Sequence, residues 1–280
     1  MARWRRFRRT LRYRKHWRIT DHRGAALLQK IRRGACKKHA AQLILTAMSI
    51  TRKDLEQDGL RNALASLPIG ASLLSEEALE ASWRAALASL PEAGNDIWLF
   101  GYGSLIWNPM VQFAERRLAA VHGYHRGFYL YSKINRGTQE NPGLVLGLDR
   151  GGCCPGVAFR IAAADVETEL RMLWRREMLM GAYLPRWLSV RLAATDAIPY
   201  KNNQQHIKVS ALAFVMDRDH ASYAGRLSDP AVLSHLRVAS GLYGPARDYL
   251  QHTLESLLRE GINDPYLARL WAQLQSEDSQ

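Results

Sequence analysis

Four short runs, IWLFGYG at 97–103, AAVHGYHRGFYLYS at 119–132, GLVLGLD at 143–149 and CPGVAFRIA at 154–162, decide how the chain is read as a fold. Each is rich in β-branched and aromatic residues and bounded by glycine or proline, the texture of strands separated by turns. Two more alternating runs, WLSVRLA at 187–193 and IKVSALAFVMD at 207–217, flank a polar loop over 195–205. Between the two groups, Asp165 opens a predicted helix in which Val166, Leu170, Leu173 and Trp174 form a core stripe and Glu177 lies near the C-terminal end.

Further out the periodicity is helical. Upstream, Leu60, Leu64 and Leu67 recur at spacings of three and four until Pro68 and Gly70 end the segment. Ser75, followed by Glu76, Glu77 and Ala78, then has the chemistry of a helix start, leading into Leu79, Trp83, Leu87 and Leu90. Downstream, helices are expected to start near Pro230, Pro245 and Pro265. The expected fold class is α+β, with a strand-rich middle and helices at both ends. The expected division is a basic leader at 1–47, a helical segment at 48–95 ending in a linker, and a strand-rich domain at 96–280.

Composition sharpens this division. The 280 residues, with 47% hydrophobic and 23% charged, suit a soluble globular chain and exclude collagen-like or wholly disordered readings. The net charge of +13 suggests a nucleic-acid or anionic-membrane partner until its position is checked. Residues 1–47 hold fifteen of the 39 basic residues and one of the 26 acidic ones, a net of +14, which leaves −1 for the rest. A uniformly basic binding domain is therefore excluded. The leader interleaves arginine with Trp4, Phe7, Tyr13 and Trp17, and three readings fit it: a mis-assigned start with Met48 as the true one, a solvated tail, or an arm that binds nucleic acid or lipid. No apolar run approaches the roughly 20 residues that a spanning helix needs. Three cysteines, Cys36, Cys153 and Cys154, form no disulfide framework and point to a reducing, cytoplasmic compartment.

Two segments could carry chemistry. In FGYGSLIW at 100–107, the glycines allow close backbone approach, and Ser104 with successive N–H groups could hold a small anion. The plainer reading is a tight turn ahead of a buried Leu-Ile-Trp plug. The pattern is neither a dinucleotide fingerprint, nor a P-loop, nor a nucleophile elbow. In LWRREM at 173–178, Glu177 follows a core stripe, so partial desolvation would raise its pKa and suit it to general-base work. Its plainer reading is an Arg–Glu pair on a solvated helix face.

Taken together, these segments resemble the ChaC family of γ-glutamylcyclotransferases. HRGFYLYS, RGTQENPGLVLGLD, GGCCPGVAFRI and GAYLP follow in family order, and the resemblance covers about 54–258. It implies a small mixed β-barrel-like sheet flanked by helices, with glutathione as substrate and no metal, nucleotide or organic cofactor. By the same resemblance Glu177 matches the catalytic glutamate. Gly101, Tyr102, Gly103, Ser104, Leu105 and Ile106 match the loop that holds the γ-glutamyl group, and Tyr183 matches a tyrosine of the same pocket. One departure is visible: many members carry a GxxGxN-type turn where this chain has GLYGPAR at 241–247.

Other constellations carry less. Cys153 and Cys154 have no His–Cys arrangement for thiol catalysis, and His122 with His125 lack a third ligand, so no metal site is expected. Cyclisation of another γ-glutamyl amide is the alternative within the enzyme class. A nucleic-acid or membrane binder acting through residues 1–47 is the alternative outside it. The sequence leaves the oligomeric state open.

Overall fold

Five strands close into a barrel in the order β1-β3-β2-β4-β5. They are β1 (Ile97–Gly101), β2 (Glu115–Ser132), β3 (Gly143–Ile161), β4 (Tyr183–Ala193) and β5 (His206–Met216). The computed structural model describes residues 51–65, 70, 72–90, 96–193 and 206–277. The leader, Leu67 and Pro68, the 91–95 linker and the 195–205 loop lie outside them. All described residues belong to the compact unit Met48–Gln280.

The barrel is antiparallel around most of its circumference. Ile97 of β1 pairs with Ile161 of β3, Ala119 of β2 with Leu192 of β4, and Tyr183 of β4 with Met216 of β5. Closure is parallel, with Trp98 of β1 beside Ala211 of β5. Inside, Phe100, Ala119, Val121, Leu148, Ala158, Val190, Ala211 and Ala213 form a core fed by all five strands. Many of these side chains are small, as the interior of a five-stranded barrel requires.

The opposite strand faces bear Leu99, Val157, Phe159, Leu212 and Phe214, and these pack under helices. In chain order the helices are α1 (Arg52–Glu56), α2 (Gly59–Ala65), α3 (Glu76–Ala88), the one-turn α4 (Ser104–Trp107), α5 (Val166–Glu177), α6 (Asp229–Val238), α7 (Ala246–Arg259) and α8 (Pro265–Glu277). A two-stranded pair, β6 (Ser240–Gly241) and β7 (Gly244–Pro245), joins α6 to α7. The expected start of α3 is present, since Ser75 Oγ accepts the Ala78 N–H at 3.1 Å. The expected α5 stripe is also present, with Val166, Leu170, Leu173 and Trp174 all buried.

Two local readings differ from the sequence expectation. The helical stretch before Pro68 includes a break that its leucine spacing does not announce, where Asp58 takes a positive φ of 52° between α1 and α2. The runs at 143–149 and 154–162 are one strand rather than two. Gly151 and Gly152, at φ of 105° and 73°, let β3 continue past the register shift opposite Gly123, where a side-chain-bearing residue would be strained.

Candidate active site

A pocket of about 200 Å³ opens where the β1–α4 turn, the C-terminal end of α5 and the far ends of β2 and β3 meet. Its wall includes Tyr102, Gly103, Ser104 and Leu105 from the glycine turn, Glu177 from α5, and Tyr183 from β4. Six of the eight residues singled out from sequence therefore share one cavity. Gly101 and Ile106 stand behind the wall. A Cβ on Gly101 would lie 3.1 Å from Leu105 and 3.2 Å from the Phe159 ring, and Ile106 is buried in the outer core. The turn thus serves both readings of its sequence: Tyr102, Gly103 and Ser104 face the cavity, while Leu105, which also touches it, and Ile106 anchor the turn in the core.

Glu177 owes its place to the stripe that precedes it. Burial of Leu170, Leu173 and Trp174 fixes the rotation of α5, and Glu177 is its last residue. The Glu177 side chain is only 14% exposed, and burial raises its pKa above the ordinary carboxylate value. Arg176, whose Nε lies 2.9 Å from Glu177 Oε1, opposes that shift. The Arg–Glu pair foreseen for a solvated face is real, but it lines the pocket instead.

Arg176 is the residue that the sequence reading undervalued. Its Nη2 donates to Ser104 Oγ at 3.1 Å and its Nη1 to the Asn108 carbonyl, so one guanidinium ties the glycine turn to the acidic residue. Adjacency to Glu177 was the only signal for it.

Tyrosines form much of the remaining polar surface. Tyr102 donates from its hydroxyl to the Phe214 carbonyl at 2.8 Å. Tyr183 is buried and its pKa is pushed well up by desolvation, with the Tyr102 hydroxyl as a hydrogen-bonding neighbour. Tyr249 accepts the Leu146 N–H at 3.2 Å, and its pKa is pushed up to about 12 by burial. Gly103 makes room for Tyr249, since a Cβ there would sit 3.1 Å from the hydroxyl oxygen and press on it.

The sequence also gave little sign of the opposite wall, formed by Tyr131, Lys133, Arg136 and Tyr243. Arg136 falls within the RGTQENPG stretch, but nothing local marks it as facing a cavity. Leu60 and Leu64 of α2 line the pocket too, although their spacing announces only a helix. At the divergent GLYGPAR turn, Ala246 is fully buried at the start of α7 and takes no part in the pocket wall.

The remaining candidates lie elsewhere. His125 meets the Gly151 carbonyl and the Tyr129 hydroxyl through its two ring nitrogens, while His122 lies 3.9 Å from the exposed Cys153 thiol. Cys154 is buried, and its pKa is pushed up to about 11 by desolvation. Among the described residues, no group of three or more His, Cys, Asp or Glu side chains is placed to hold a metal ion.

Comparison with known proteins gives the arrangement a lineage. A glutathione-specific γ-glutamylcyclotransferase of Escherichia coli is 36% identical over 214 residues, which is 75% of this chain and 87% of that protein. A glutathione-specific γ-glutamylcyclotransferase 1 of Danio rerio is 32% identical over 64% of this chain and 89% of its own length. In fold, the chain is similar to the crystal structure of a yeast γ-glutamylcyclotransferase specific to glutathione, with a TM-score of 0.59 at 22% identity over 65% of this chain and 96% of that one. The family model described as ChaC-like protein matches residues 97–277, which take in the whole barrel, the glycine turn and Glu177, and the chain belongs to the ChaC family.

Proposed function

We propose that the protein is a γ-glutamylcyclotransferase that degrades glutathione, with Glu177 as its general base. The observation that carries this reading is Glu177 itself: a carboxylate with a raised pKa, held in a pocket beside a glycine turn. The E. coli and zebrafish relatives, named for action on glutathione, support the choice of substrate.

The substrate's geometry defines the task. The α-amine of a γ-glutamyl group can reach its own γ-carbonyl and close a five-membered lactam, but as ammonium it cannot attack. Glu177 takes the proton whose loss frees the amine to attack; the nitrogen gives up a second as the lactam forms, and two protons pass to the departing amide nitrogen, which leaves as the ammonium of cysteinylglycine. The products are 5-oxoproline and cysteinylglycine. Folding one molecule into its reactive conformer supplies much of the acceleration, because nucleophile and electrophile are already joined. Tyr102, Gly103, Ser104 and Leu105 hold the γ-glutamyl end, Gly101 and Ile106 set the turn's shape from behind, and Tyr183 closes the cavity beside Glu177. The step as written calls on no metal or organic cofactor.

Residues 48–95 act in this scheme as a helical lead that completes the pocket of the 96–280 catalytic region, a reading supported by Leu60 and Leu64 in its wall. A cytoplasmic setting is supported by the free thiols of Cys153 and Cys154. Among the described residues no helix is long and apolar enough to cross a membrane. Incubation with glutathione is expected to release 5-oxoproline and cysteinylglycine in equal amounts, and a folded protein that forms neither would refute the reading.

A further inference from the structure

We infer that Arg136 is the receptor for the carboxylate at the far end of a γ-glutamyl peptide substrate, the glycine carboxylate when that substrate is glutathione. The inference rests on the cyclotransferase reading above and adds to it the feature that makes a peptide, rather than a γ-glutamyl amine, the preferred substrate.

Arg136 is 7% exposed and lines the pocket; the Asp248 carboxylate acts on it from α7, yet among the described residues no carboxylate closes an ion pair with it. Arginine is seldom buried without such a partner, because a desolvated charge is costly unless compensated. Its Nη1 donates to the carbonyls of Tyr243 and Pro245, and its guanidinium lies 5.9 Å from the centre of the Tyr249 ring. No acceptor among the described residues meets Nε or Nη2, which leaves three of the five N–H groups for another acceptor. Burial correspondingly lowers its pKa, a penalty that an incoming carboxylate would relieve.

The backbone beneath this side chain is tightly held. The Arg136 N–H donates to Ser132 Oγ at 3.0 Å. A Cβ on Gly143 would lie 2.2 Å from the Arg136 carbonyl oxygen, and one on Gly241 would lie 2.7 Å from its amide nitrogen. With the backbone fixed and Nη1 on the Tyr243 and Pro245 carbonyls, the guanidinium is set before any ligand arrives, which limits the ordering cost of binding.

Position selects which carboxylate it receives. Arg176 Nε lies 2.9 Å from Glu177 Oε1, whereas Arg136 is held at the other wall by the Tyr243 and Pro245 carbonyls. The α-carboxylate of the γ-glutamyl group is attached to the carbon bearing the reacting amine, so it must stay close to Glu177. The glycine carboxylate lies up to about 7 Å beyond the scissile amide, the length of two extended residues. Charge balance agrees: Lys133, Arg136 and Arg176 face a single lining carboxylate, Glu177. That excess of positive charge suits a substrate with two carboxylates and one ammonium.

The test compares glutathione with its glycinamide, which differs only in lacking the terminal charge. Wild type is expected to favour glutathione in kcat/KM by roughly ten- to a hundredfold, the range for a hydrogen-bonded charge. In Arg136→Gln that preference should collapse through a rise in KM for glutathione alone, and R136K should restore part of it. Equal kcat/KM for the two substrates in wild type overturns the inference, whatever the variants do. So does discrimination that survives R136Q, that lapses only in Lys133→Met, or a loss that falls equally on both substrates. Failure of wild type to cyclise glutathione at all is a different result and counts against the proposed function.

Discussion

Arg176 and Glu177 are consecutive in the chain, and their opposed effects set when the base is available. Burial raises the Glu177 pKa and the neighbouring guanidinium lowers it, burial being the larger effect. A general base must be deprotonated, so activity should fall as the pH drops through this raised value, at a higher pH than an ordinary glutamate would give. Replacing Arg176 with Met removes the opposing charge. The acidic limb of the kcat/KM profile should then move to still higher pH; a limb that stays put or moves down would show that Arg176 acts only by holding Ser104. Glu177→Gln keeps the shape of the side chain and removes the base. It should lower kcat by about 10²- to 10⁴-fold while leaving the circular dichroism spectrum intact, and turnover near wild-type level would dismiss Glu177 as the base.

At the scale of elements, α1 shows how a short helix becomes part of a site. Five residues cannot hold a helix in water on their own, so α1 depends on what it is docked against. Arg52 donates to both carboxylate oxygens of Glu169 on α5, at 2.7 and 2.8 Å, and Glu169 also accepts the Gln112 N–H at 3.0 Å. Glu169 is 1% exposed, so removing its partner leaves a buried, uncompensated charge. Arg52→Met should therefore cost about 3 kcal/mol, read from the urea midpoint at constant m. Adding Glu169→Gln should recover much of that loss. Because α2 follows α1 and carries Leu60 and Leu64 into the pocket, KM should rise in the single variant as well. A cost below about 1 kcal/mol would mean that apolar packing alone seats these helices.

At the scale of the whole molecule, what the sequence disclosed and what it hid divide by range. Helix periodicity, the Ser75 cap and the strand-like texture are local, and each was readable because a few adjacent residues determine it. The Arg52–Glu169 pair joins residues 117 apart, and the Arg136 wall exists only because β2, β3 and the β6–β7 turn converge, so no local pattern announces either. Another such link bears directly on the site. Arg126, almost fully buried, donates to the Tyr102 carbonyl at 2.7 Å and to the Pro155 carbonyl, and its Nε lies 2.9 Å from Asp264 Oδ2. Asp264 in turn accepts the Leu267 N–H at 3.1 Å and caps α8. One guanidinium thereby connects the glycine turn, β3 and the last helix. Asp264→Ala leaves Arg126 buried without its counter-charge and also uncaps α8, a loss of about 3 kcal/mol or more. For a region of this size that should lower Tm by about 6–12 °C. Asp264→Asn keeps a capping oxygen and should fall between wild type and the alanine variant. If the link positions Tyr102, kcat of the alanine variant should also drop at temperatures where it remains folded, because the Arg126 donor that fixes the turn's backbone loses the carboxylate that orients it. A Tm within about 2 °C of wild type would place α8 outside the cooperative unit that shapes the pocket.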